Sequence, residues 1–154
     1  MKIMVTGGTG YIGSHTCIEL IKAGYEIVVL DNLCNSSLES MKRVEKLSGS
    51  NIPFHKVDVR DKVALTQLFK QYSIDGVIHF AGLKVVGESV EKPIEYYNNN
   101  VGGTLILAEV MREFNCKTFV FSSSAAVYGN PHTVPIKEDF PLSATNSYGR
   151  SKLM

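Results

Sequence analysis

An apolar run, Ile3-Met4-Val5, leads into Thr6-Gly7-Gly8-Thr9-Gly10-Tyr11-Ile12-Gly13, and an amphipathic stretch continues from Tyr11 to Ala23. Strand, glycine turn and helix in that order aim the N–H groups of a helix N-terminus at a diphosphate. Gly7 permits the tight turn. Gly10 leaves no side chain between backbone and phosphate, and Gly13 lets the helix pack close to the sheet. An ordinary glycine-rich turn is the plain alternative for these three residues alone.

Strand and helix signals alternate along the rest of the chain. Ile27-Val28-Val29-Leu30 is a continuous apolar run, as expected of a strand buried on both faces, and it ends at Asp31. A polar loop from Asn32 to Ser37 precedes a helix expected over about Leu38 to Leu47, and Pro53 to Val57 reads as a short third strand closed by Asp58. Leu65, Leu68, Phe69 and Tyr72 form an apolar helical stripe. Val77-Ile78-His79-Phe80 is the expected fourth strand and Thr118 to Phe121 the fifth, followed by Ser122-Ser123-Ser124. Between them a long helix is expected from near Pro93 to about Phe114, Pro93 suiting a first turn. That helix carries Asn98-Asn99-Asn100 and Gly102-Gly103, poor interior residues that imply close approach of a ligand or another backbone, or else a helix break. A loop from Gly129 to about Thr145 follows the serines, and a new helix begins shortly before Met154. Repeated β-α-β units imply an α/β, Rossmann-type, doubly wound parallel sheet with helices on both faces. Ligands of such sheets sit beyond the carboxyl ends of the strands, where every residue singled out below falls.

Asp31 lies 18 residues after Gly13, at the end of the second strand. A carboxylate there accepts from both hydroxyls of an adenosine ribose and repels a 2′-phosphate, which points to NAD rather than NADP. Asp58 is placed either to accept from the adenine amino group or to cap the next helix. Tyr148 and Lys152 stand four apart, on one helical face. A nearby ammonium favours tyrosinate and makes the phenol usable as a general base. A hydroxyl of the serine run can hydrogen-bond a substrate hydroxyl and pass its proton, although three serines equally suit a capping turn.

The totals exclude other classes. With 154 residues the chain suits one domain with one core, and 16 basic against 15 acidic residues advertise neither a nucleic-acid nor a membrane surface. No apolar run approaches the length of a membrane span, and Met1-Lys2 running straight into the first strand leaves no room for a signal peptide. Cys17, Cys34 and Cys116 lack metal-ligand spacing and read as reduced thiols of a cytoplasmic protein. His15, His55, His79 and His132 are scattered and read as packing or surface residues, so no metal site is expected.

The glycine run with Tyr148-x-x-x-Lys152 resembles the extended short-chain dehydrogenase/reductases. Asp31 to Ser36, His79 to Lys84, Gly87-Glu88-Ser89, Asn99-Asn100-Val101 and Ser122 to Gly129 resemble the UDP-glucose 4-epimerase branch of that family. The resemblance implies a bound NAD and a UDP-sugar substrate. Tyr148, beside Ser124, would take the proton of the sugar 4-hydroxyl while hydride leaves C4; the 4-keto sugar swings over and hydride returns to its other face. Lys152 would tune Tyr148 and bond the nicotinamide ribose. By the family pattern the coenzyme is lined by Gly7, Gly10, Tyr11, Ile12, Gly13, Asp31, Asn32, Asn35, Ser36, Asp58, Val59, Phe80, Ala81, Gly82, Leu83, Lys84, Asn99, Ser122, Tyr148 and Lys152. Family members carry a sixth strand and a smaller nucleotide-sugar domain after this region and pair as homodimers. Residues 1–154 are therefore expected to be the NAD-binding domain, incomplete, of a longer enzyme, with little turnover alone. A related nucleotide-sugar dehydratase and a non-catalytic NAD-binding module are the rival readings; dehydratases typically carry Thr-Asp-Glu where this chain has Ser122-Ser123-Ser124.

Overall fold

A computed structural model describes all residues, 1–154. Five strands, β1 (Lys2–Thr6), β2 (Glu26–Asp31), β3 (Phe54–Lys56), β4 (Gly76–His79) and β5 (Thr118–Phe121), form one sheet in the order β3-β2-β1-β4-β5, every pair parallel. The helices are α1 (Tyr11–Lys22), α2 (Glu39–Ser48), α3 (Lys62–Tyr72), α4 (Val86–Glu91), α5 (Pro93–Tyr96), α6 (Gly103–Glu113) and α7 (Ser147–Leu153). The chain divides into two compact units, Met1–Ala81 with Ile106–Ser122, and Gly82–Leu105 with Ser123–Met154.

The first unit holds the sheet. Successive strand residues point to opposite faces, and each face has its own core. Met4, Val28, Leu30 and Val77 pack with Leu65, Leu68 and Phe69 of α3 and Leu107, Val110 and Met111 of α6. Ile3, Val5, Ile27 and Val29 pack with Cys17 of α1 and Met41 and Val44 of α2. Such two-sided burial is why β1 and β2 read as unbroken apolar runs. Lys62 of α3 bridges to Glu109 and Glu113 of α6, at 3.1 and 2.8 Å. The strand order reverses between β1 and β4, and the turns after both strands meet there. Gly7 has φ +68°, and a Cβ on it would lie 2.5 Å from Ala81 N. A Cβ on Gly13 would run into the Gly7 carbonyl.

In the second unit α4 and α5 stand one residue apart, and α5 continues through a π-helical turn, Tyr97–Gly102, into α6. The Asn/Gly stretch therefore does not break the helix; it widens one turn. The alternative of a close backbone is what occurs: Asn100 Oδ1 accepts from Leu83 N at 2.8 Å and its Nδ2 donates to Leu83 O at 2.9 Å. The short helix α4 was not expected from the sequence. Of the two roles left open for Asp58, capping α3 falls to another residue. Asp61, not Asp58, accepts from Ala64 N at 3.0 Å.

Candidate functional site

At the β1 end, Gly7 N donates to Leu30 O and Gly10 N to Gly7 O, which closes the turn. Gly10 caps α1 with no side-chain hydrogen bond, and the first turn carries no acidic residue. A Cβ on Gly10 would meet only Gly7 O, at 3.2 Å, so the outer side of the turn is bare backbone. Tyr11 and Ile12 are exposed. A helix start with uncapped N–H groups and no competing anion is suited to a phosphate group. The glycine geometry thus fits the diphosphate of a dinucleotide.

The β2 end presents Asp31, 7% exposed. Its Oδ1 accepts from Leu33 N at 2.9 Å and Ser36 Oγ at 3.0 Å, and Oδ2 from Thr9 N at 3.3 Å. Ser36 Oγ also meets Thr9 Oγ1 at 2.7 Å, tying the loop after β2 to the glycine turn. Oδ2 carries one long bond only, so this carboxylate keeps acceptor capacity for ribose hydroxyls. Leu33 adopts φ +60°, which turns the loop sharply after Asn32. Asn35 is exposed.

Beside it, Asn32 Nδ2 donates to Asp58 Oδ2 at 3.0 Å. Arg60 grips the same carboxylate with Nε on Oδ1 at 2.9 Å and Nη2 on Oδ2 at 2.7 Å. The Arg60 hydrogen bonds hold the Asp58 carboxyl well below the usual carboxylate range, against the effect of burial. Val59 is buried, whereas Phe80, Ala81 and Ser122 are half-buried at the ends of β4 and β5. Thr6 Oγ1 accepts from Ala81 N at 3.3 Å and meets His79 Nδ1 at 2.6 Å, so His79 is a packed, hydrogen-bonded residue.

The second unit carries the expected reaction residues. Asn146 caps α7 by accepting from Gly149 N at 2.8 Å. Tyr148, half-buried, and Lys152, 8% exposed, follow on that helix. Burial pushes the Lys152 ammonium below its ordinary 10.5. Its Nζ would lie 3.3 Å from a Cβ on Gly82, so this glycine gives the ammonium its room. Ser151 Oγ donates to Tyr148 O at 2.8 Å and accepts from Asn100 Nδ2 at 2.9 Å. Asn100 thus joins the Leu83 backbone to the Tyr148 helix, and Asn99 Nδ2 donates to Asn100 Oδ1 at 3.0 Å. Tyr96, fully buried, accepts from Val85 N at 3.0 Å, with Val85 O and Glu88 Oε2 in reach of its proton. Ser124 Oγ accepts from Ala126 N at 3.2 Å, so it caps the 3₁₀ turn Ala125–Tyr128, as the capping alternative had it. Lys84 is exposed.

Sequence reasoning missed Asn100, Tyr96, Ser151 and Arg60. Asn100 lay in a stretch already marked as costly. The signal for Arg60 was a cation two residues after a strand-end carboxylate. No group of three or more His, Cys, Asp or Glu is placed to hold a metal ion, and no helix is long and apolar enough to cross a membrane.

A family model described as GDP-mannose 4,6 dehydratase matches residues 4–154. A UDP-glucose 4-epimerase of Dictyostelium discoideum is 63% identical over 152 residues, covering 99% of this chain and 44% of the relative. That of Bacillus subtilis (strain 168) is 58% identical over 154 residues, covering 100% and 45%. A crystal structure of UDP-glucose 4-epimerase from Bifidobacterium longum, in complex with NAD+ and UDP, superposes with a TM-score of 0.96 at 50% identity, covering 99% of this chain and 46% of that one. The chain thus spans about 45% of the length of the curated relatives it matches.

Proposed function

The chain belongs to the GDP-mannose 4,6 dehydratase family, and from that premise we propose that it is the NAD-binding part of an enzyme interconverting UDP-galactose and UDP-glucose. The observation that carries this reading is the 63% and 58% identity to UDP-glucose 4-epimerases across essentially all of its residues. The bare glycine turn, the uncapped start of α1 and the acceptor capacity of Asp31 support NAD as the coenzyme.

When bound, NAD would accept a hydride from the sugar C4 and return it to the opposite face. The chain's own part is the proton and the fit. Tyr148 takes the 4-hydroxyl proton and gives it back, a role for which a neighbouring ammonium prepares a phenol. Lys152 supplies that positive charge from a buried position, where water screens it poorly. Ser124, released from its cap on Ala126 or sharing it, hydrogen-bonds the same hydroxyl. Gly82, Leu83, Lys84 and Asn99 are assigned to the coenzyme on the family pattern, as are Tyr11, Ile12, Asn32, Asn35, Ser36, Val59, Phe80, Ala81 and Ser122.

The family model's description also covers dehydration. That chemistry needs an acid for the leaving 6-hydroxyl, and Ser122-Ser123-Ser124 brings no carboxylate. The test is a chimaera in which these 154 residues replace the matching part of the Bacillus subtilis epimerase. We expect conversion of UDP-galactose to UDP-glucose and, in the 154-residue chain alone, NAD binding with little turnover. A folded, NAD-loaded chimaera that converts neither sugar would leave only a binding module; a 4-keto-6-deoxy product would establish the dehydratase.

A further inference from the structure

The segment Gly82–Val85 precedes α4, and its Lys84 and Val85 side chains are exposed. Its backbone is gripped by two buried side chains. Asn100, 3% exposed, engages both the N–H and the C=O of Leu83, at 2.8 and 2.9 Å. Tyr96, fully buried, serves Val85 likewise: its hydroxyl accepts from Val85 N at 3.0 Å, and its proton reaches Val85 O at 2.8 Å or Glu88 Oε2 at 3.0 Å. Tyr96 and Asn100 stand four apart on the continuous helix of α5 and the π-helical turn, so they share a face. Leu83 and Val85 are two apart. In extended backbone, such as that of Val85 (φ −81°, ψ 109°), alternate residues turn their N–H and C=O to one side. The segment is thus latched at two points.

The latched segment borders the helix that carries Tyr148. A Cβ on Gly82 would lie 3.3 Å from Lys152 Nζ, and Asn100 Nδ2 donates to Ser151 Oγ, one residue before Lys152, at 2.9 Å. Both α4 and α5 pack against α7. Of the charged groups on these helices and between them, Glu91, Lys92, Glu95 and Arg150 are exposed, and Glu88 is paired with Lys92 at 3.2 Å. Lys152 is the buried one. A loosened Gly82 would admit water to its ammonium, and water screens its hold on a neighbouring phenolate. Asn100 bonds α7 directly, whereas the Tyr96 hydroxyl meets Val85 and Glu88, so its effect on α7 passes through the segment.

We propose that Tyr96 is a positioning residue for the proton transfer assigned to Tyr148: by holding Val85 it keeps the Gly82 backbone against the Lys152 ammonium, and so keeps that charge dry and effective toward Tyr148. The inference rests on the function proposed above.

The experiment uses the epimerase chimaera and titrates Tyr148 directly, as the tyrosinate absorbance lost on Tyr148→Phe in each background. Tyr96→Phe keeps the buried ring and deletes the hydroxyl. Val85→Pro deletes the N–H from the exposed side, at a φ that proline accepts. Each should raise the Tyr148 midpoint by about one unit, a tenfold weaker hold on tyrosinate, and the double variant should raise it no further. Turnover of UDP-galactose should fall about tenfold at neutral pH and recover as the pH is raised, which a merely loosened fold would not do. Val85→Pro carries the test if Tyr96→Phe does not fold. An unmoved midpoint, or a loss of turnover that is equal at every pH, overturns the inference while turnover by the unaltered chimaera upholds the epimerase reading. An unaltered, NAD-loaded chimaera that converts neither sugar overturns both.

Discussion

Lys152 sits at 8% exposure, where lysine is rarely found. Burial lowers its folded-state pKa below the unfolded 10.5, so the unfolded chain binds the proton more readily over that interval. Stability contributed at this site therefore rises as pH climbs from the folded value toward 10.5, and the charged form at neutral pH is a cost to folding. We predict that Lys152→Met raises the melting temperature at pH 7 while abolishing turnover in the chimaera; differential scanning calorimetry and the epimerase assay check the two halves. Tyr148→Phe removes only the proton-carrying oxygen. It should lower turnover of the chimaera by about 10²–10⁴-fold, the usual scale for a lost general base, and leave the NAD content of the purified protein unchanged. Asp58 shows the opposite sign. Its folded pKa is held down by Arg60, so its contribution is present above the unfolded 3.8 and is lost as pH falls through the folded value. Urea midpoints measured from pH 5 downward should decline less in Asp58→Asn than in the unaltered chain.

Among the elements, the strand–turn–helix unit carries the most. Gly13 is where α1 passes against the Gly7 carbonyl, so Gly13→Ala forces the turn or the helix to move. An overpacking cost of about 1–3 kcal/mol is expected, read as a lower urea midpoint, together with loss of NAD affinity because the phosphate-facing N–H groups shift. This element was legible in full: its glycines, its strand and its helix all stand in contiguous sequence. The helix around Asn100 was legible only in part. Its Asn/Gly content marked the stretch as costly, and the structure shows that the cost is met by bonds to Leu83 and Ser151. Those partners lie 17 and 51 residues away, and nothing in local propensity names them. For the same reason α4 escaped notice: six residues with Val86, Val90 and Gly87 among them carry no helical stripe strong enough to read.

For the whole molecule, the parallel sheet with helices on both faces followed from the β-α-β rhythm, whereas the strand order and the membership of the two cores did not, because continuous apolar runs do not say which strand lies beside which or which face each residue takes. The reach of Arg60 back to Asp58, and of Thr9 to Asp31 and Ser36, required the folded backbone. A ligand that binds only the folded state stabilises it by about 2.7 kcal/mol at a hundredfold excess over its dissociation constant. Saturating NAD should therefore raise the melting temperature of the 154-residue chain by several degrees, with NADP at equal concentration raising it less. The most direct test of the central claim is a crystal structure of this chain grown with NAD. The diphosphate should rest on the backbone of Gly10 to Gly13, with the adenosine ribose hydroxyls on the Asp31 carboxylate; a coenzyme bound elsewhere, or a glycine turn left empty at saturating NAD, would contradict it.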